Sequence, residues 1–107
     1  MDAHRIAEAR SLAYHLEVAG RLATRPELLE RARDRVQAWL ADGRSPWYAA
    51  RWQAILAQGT DAVVRILVDP GEDATALRQA SPFAGVLSPR ERWRLWREVR
   101  ARCEGQP

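Results

Sequence analysis

Two histidines, a single cysteine, and arginines interleaved with tryptophans near the C-terminus are the residues of this chain whose types can carry chemistry. His4 and His15 lack the i, i+4 separation of a zinc-binding helix, and Cys103 has no second cysteine to pair with as a ligand or in a disulfide. His4 reads as a solvated residue near the terminus. His15, beside Tyr14 on the first helix, reads as a structural or surface residue, and Cys103 as a half-buried spectator. No glycine-rich phosphate loop is present and no serine sits in a GxSxG elbow. Glu27 and Glu91 occupy capping positions and do not form a carboxylate pair. The sequence therefore offers no catalytic, cofactor-binding or metal-binding constellation, and predicts a protein that is not an enzyme.

The basic residues say more. All 17 are arginine and none is lysine, which either reflects a GC-rich coding sequence or favours specific contacts. The planar guanidinium fork matches carboxylates, phosphates and stacked aromatic rings better than an ammonium does. Residues 1 to 44 hold 8 arginines against 7 acids and residues 45 to 87 hold 3 against 4, whereas residues 88 to 107 hold 6 against 3. The excess is local, at the C-terminal end of an otherwise balanced chain.

That end carries the clearest local signal. Ser88, Pro89 and Glu91 combine a serine cap, proline at the first helical position and a capping-box glutamate. On the helix that follows, Trp93, Trp96, Val99, Arg100 and Cys103 gather on one broad side, with Arg90, Arg94 and Arg97 beside them. Two readings compete. In one, the tryptophans pack inward while the arginines cover their rims and pair with Glu91 and Glu98. In the other, Arg90, Arg94 and Arg97, with Trp93 and an exposed Phe83, form a partner-binding surface of the Trp and Arg type that dominates interface energetics.

The elements that must position this helix are also helical. Ile6, Ala9, Ala13, Leu16, Ala19 and Gly20 recur at three and four over residues 2 to 22. Thr24 and Glu27 read as a capping box for a second helix, buried through Leu28, Leu29, Ala32, Val36, Trp39 and Leu40 and stopped at Asp42 and Gly43. Ser45 and Pro46 restart the chain, Trp52, Ile55 and Leu56 face inward, and Trp47 and Tyr48 stand at the helix entrance. Val63, Val64, Ile66 and Leu67 suit a short helix, with a strand as the competing reading. A polar turn at residues 69 to 73 precedes a brief helix around Leu77. Residues 81 to 87 lack a helical period and predict an ordered apolar loop. Its Phe83 and Leu87 either plug the core or dock onto a partner, and Gly85 supplies a tight turn.

The expectation is an all-α fold: one domain over residues 1 to 107, a compact bundle of four to five main helices. Its 47% hydrophobic and 29% charged residues suit a chain that folds. No apolar run approaches the length of a membrane span, so a cytoplasmic protein with no membrane partner is expected.

The stretch Ser81-Pro82-Phe83-Ala84-Gly85-Val86-Leu87-Ser88-Pro89-Arg90-Glu91-Arg92, with Trp52 to Leu56 and Leu77 to Gln79, resembles a small all-helical bacterial family of antitoxin-like proteins. Its members occur alone or fused to helix-turn-helix regulators. The resemblance implies a protein partner, a toxin enzyme encoded nearby, and implies no catalytic residue. No separate helix-turn-helix is evident here, so neutralising a protein is the stronger expectation and acting as a compact DNA-binding regulator the weaker. A homodimer, built from the alanine-rich face of the first helix and the Trp and Arg surface of the last, is the further alternative.

Overall fold

The computed structural model describes residues 3–43 and 47–105. Six helices follow one another: α1 (Ala3–Leu22), α2 (Glu27–Ala41), α3 (Trp47–Ala57), α4 (Thr60–Val68), α5 (Glu72–Gln79) and α6 (Pro89–Glu104). No strand occurs among the described residues, so the fold is all-α. Four of the helices are long, while α4 and α5 have only nine and eight residues. The segment open to a strand reading is α4: Val63 and Leu67 are both fully buried, and a spacing of four puts them on one face of a helix.

The long helix α1 is the central beam, packed against α4, α5 and α6, while α2 pairs with α3 and α3 leads back to α4. Its buried side is not the alanine stripe the sequence suggests. Tyr14, Val18 and Leu22 form the inward row, joined by Ala13 and His15, whereas Leu16 stands 48% exposed and Gly20 faces outward. The reason is size: the i, i+4, i+8 row of large side chains buries more apolar surface than alanine and glycine can.

The start of α2 also departs from expectation. Pro26, not Thr24, occupies the cap position, and no side chain caps the helix. The Thr24 hydroxyl donates instead to the Arg21 carbonyl, and the Glu27 carboxylate accepts from Arg25 at 3.0 Å. The Ser45–Pro46 cap lies outside the described residues.

At the centre Trp52 meets Phe83 edge to face, with ring centroids 6.1 Å apart. The Trp52 indole nitrogen donates to the Leu77 carbonyl at 3.2 Å, which answers the one polar atom of the buried ring. Phe83, 1% exposed, and Leu87 fill the core from the 81–87 loop, which is ordered as expected. The Tyr14 hydroxyl donates to the Phe83 carbonyl at 2.6 Å and accepts from the Val86 amide at 3.2 Å. From α2, Arg35 donates to the carbonyls of Pro82 and Ala84. Gly85 turns this loop at φ +83°, a conformation side-chain-bearing residues rarely adopt.

Candidate functional site

The loop delivers the chain to Ser88, and there the sequence signal is realised in full. The Ser88 hydroxyl accepts from the Glu91 amide at 3.1 Å, and the Glu91 carboxylate accepts from the Ser88 amide at 3.0 Å. The same carboxylate accepts from Arg21 of α1. The Arg21 hydrogen bond, with the Ser88 amide behind it, holds the Glu91 pKa down at about 2. Glu91 thus caps α6 and clamps it to α1.

One side of α6 packs inward through Val99, which is buried, and through the partly buried Leu95 and Trp96. Trp96 lies 6.5 Å from the Tyr14 ring, and the Arg10 guanidinium stands 5.8 Å from its centroid. The other side is open. At about 100° per residue, Trp93, Arg97, Arg90 and Arg94 fall in that order around an arc of about 100°. All four are exposed, Trp93 at 64%.

Trp93 therefore separates from Trp96, Val99 and Cys103, with which the sequence grouped it. Nor do the arginines find the acids proposed for them. Glu91 is held by Arg21, Arg100 pairs with Glu104 at 3.0 Å, and Glu98 is exposed. Among the described residues Arg90, Arg94 and Arg97 make no ion pair. A row of unpaired guanidiniums beside an exposed indole can engage carboxylates or phosphates and cover an aromatic or apolar surface.

Phe83 has to be removed from this surface. The sequence allows it as an exposed docking residue, but its ring is in the core against Trp52, because the hydrogen bonds of Tyr14 and Arg35 draw the loop inward. The structure thus brings together four of the five proposed partner-binding residues. Of the other tryptophans, Trp52 is fully buried and Trp39 partly so, while at the helix entrance Trp47 is 55% exposed and Tyr48 packs partly buried against the core. Cys103 is half-buried.

A second polar cluster has no counterpart in the sequence reading. The Nδ1 of His15 donates to the Ser11 carbonyl and its Nε2 accepts from the Ser81 hydroxyl, both at 2.7 Å. A carbonyl can only accept, so the proton sits on Nδ1. Burial, against the opposing pull of the Ser11 carbonyl and with help from the charge on Arg78, lowers the His15 pKa to about 4. Arg78 is itself buried, and burial lowers its pKa. It donates to the carbonyls of Ile66 at 2.8 Å and Asp69 at 2.6 Å, closing the C-terminal end of α4. Ser81 lies 66 residues from His15 and Ile66 lies 12 from Arg78, so these pairings leave no local motif.

Among the described residues no group of three or more His, Cys, Asp or Glu is placed to hold a metal ion, and no helix is long and apolar enough to cross a membrane. No family model, curated protein or solved structure matches the chain.

Proposed function

We propose that this is a non-catalytic cytoplasmic protein-interaction module that binds an acidic protein partner through the outer face of α6. The observation that carries this reading is Trp93, exposed on a capped helix and flanked by unpaired Arg90, Arg94 and Arg97. Folding alone gives no reason to leave so large an apolar side chain in water. Trp and Arg are the residues most enriched in interface hot spots, where an apolar anchor is combined with directed polar contacts. A bulky exposed indole at the edge of the row suits a major groove poorly, which favours protein over DNA as the partner.

The antitoxin-like role stands on the resemblance of residues 81–92, Trp52 to Leu56 and Leu77 to Gln79 alone, and it specifies the partner as a toxin enzyme. Replacing Arg90, Arg94 and Arg97 together by alanine is expected to weaken association with the partner by at least about a hundredfold. The measurement is comparative capture from native lysate, followed by titration of the captured partner against both forms of the protein. Equal affinity for wild type and triple variant overturns the surface, and capture of nucleic acid alone, with a steep salt dependence, moves the regulator reading to first place. The homodimer reading draws on Leu16, exposed in a shallow seam that α1 shares with α6. Sedimentation that stays monomeric at high concentration counts against it.

A further inference from the structure

On another side of the molecule, α1, α5, the 81–87 loop and α6 border a depression of about 480 Å3. Arg10, Arg78 and Arg92 line it, and no aspartate or glutamate does. Among the described residues none of the three makes an ion pair. Arg10 lies over Trp96, and Arg78 has only carbonyls and the Thr75 hydroxyl as acceptors. The Nε atoms of Arg10 and Arg78 are buried with no hydrogen-bond partner. His15, on the inner wall, stays neutral beside them.

Arg10 and Arg78 border this depression without an ion-pair partner, the Asp69 carboxylate acting on Arg78 only at longer range, and the exposed Arg92 adds a third positive charge to its lining. A charge drawn away from water without a counter-ion is destabilising, and a guanidinium is effectively always charged, so it cannot escape by losing its proton. The depression asks for negative charge from outside the chain. More than one positive charge is best answered by a dianion, and the guanidinium fork fits phosphate oxygens two at a time. The volume lies in the range of small-molecule sites, roughly 300–1,000 Å3, and exceeds what a bare phosphate needs. The Trp96 edge and the open rim at Gly85, where a Cβ would meet nothing within 4 Å, leave space for the group that carries the phosphate.

We propose that this depression binds a phosphate monoester, with Arg10 and Arg92 holding the dianion directly and Arg78 adding its charge from behind. The site is separate from the outer face of α6, since Arg92 lies about 140° around the helix from Arg97. The two readings can therefore fail independently.

The test follows the arginine Nε–H signals of the full-length protein by NMR while phenyl phosphate is added. Ionic strength is held constant with sodium chloride, and the pH is kept above the second phosphate ionisation near ~6. Saturable shifts are expected for Arg10, Arg92 and the Trp96 indole. Arg10→Ala or Arg92→Ala should weaken binding at least about tenfold, while Arg65→Ala on α4 leaves it unchanged. Binding lost in the Arg90, Arg94 and Arg97 triple variant but kept in Arg10→Ala and Arg92→Ala would overturn the proposal and place the anion on the outer face. Equal response to chloride overturns it too, as does equal binding of dimethyl phosphate, which marks a contact for nucleic-acid backbone. Should the alanine variants not fold, the wild-type titration decides: no saturable shift at Arg10 and Arg92 sinks the site.

Discussion

At the scale of single residues, the interior is polar where the sequence hides it. His15 is buried as the neutral imidazole, with a pKa of about 4 in place of 6.5. Above pH 6.5 it is neutral folded or unfolded, and its contribution is complete. As the pH falls below 6.5 the unfolded chain takes up the proton first, so stability declines until the folded state is protonated near 4. A gap of this size corresponds to about 3 kcal/mol. His15→Gln should be less stable at neutral pH yet lose less stability on going from pH 6.5 to 4, as read from urea midpoints. Parallel declines in the two proteins would show that another group titrates. Phe83 makes the same point without charge: Phe83→Ala should cost about 3 to 5 kcal/mol by opening a cavity beside Trp52, and a loss below about 1 kcal/mol would mean that the loop is not core. The apolar composition of residues 81–87 was enough to show that the loop is ordered. Whether Phe83 pointed in or out depended on Tyr14 and Arg35, far away in sequence, and no local pattern carries that information.

At the scale of elements, what was legible divides by whether the cause is local. The α6 start was readable because all its determinants, Ser88, Pro89 and Glu91, lie within one turn. The α2 start looked similar and behaved differently: Arg25, adjacent to the supposed cap, takes the Glu27 carboxylate, and Pro26 occupies the cap position. The inward face of α1 is not legible in its own periodicity because three other helices pack on it and select the row of Tyr14, Val18 and Leu22. The α6 cap can be tested directly. Ser88→Ala should destabilise the protein by about 1 kcal/mol in denaturant unfolding, and no change would mean that the clamp from Arg21 alone holds the helix. The clamp has its own pH window. The Glu91 pKa is lowered from 4.5 to about 2, so its contribution is whole above 4.5 and is lost as the pH falls toward 2. Amide protection in the first turn of α6 should decline in that window in the wild type and stay flat in Glu91→Gln. This window meets that of His15 only between pH 4 and 4.5, and the amide readout is local to α6, so the two transitions can be told apart.

At the scale of the whole molecule, the question is whether folding and binding use the same arginines. The structural arginines are identifiable: Arg21 clamps α6, Arg35 holds the loop, Arg51 pairs with Asp73 at 2.6 Å, and Arg78 closes α4. Arg90, Arg94 and Arg97 have no such work among the described residues. Removing all three should leave the bundle intact, because α6 stays anchored by Val99, Trp96 and its capping box, and alanine is the better helix former. Exposed positions of this kind change stability by no more than about 0.5 kcal/mol each, and the gain in helix propensity offsets part of any loss. For a domain this size, 1 kcal/mol corresponds to about 4 °C or more, so a melting temperature within about 5 °C of wild type is expected. The triple change also cancels the formal excess of +3, so the comparison belongs at low protein concentration, where a near-neutral protein stays soluble. A fall of more than about 10 °C would show that the outer face of α6 holds the fold together and is not free for a partner. Stability kept while binding is lost would assign these three side chains to recognition.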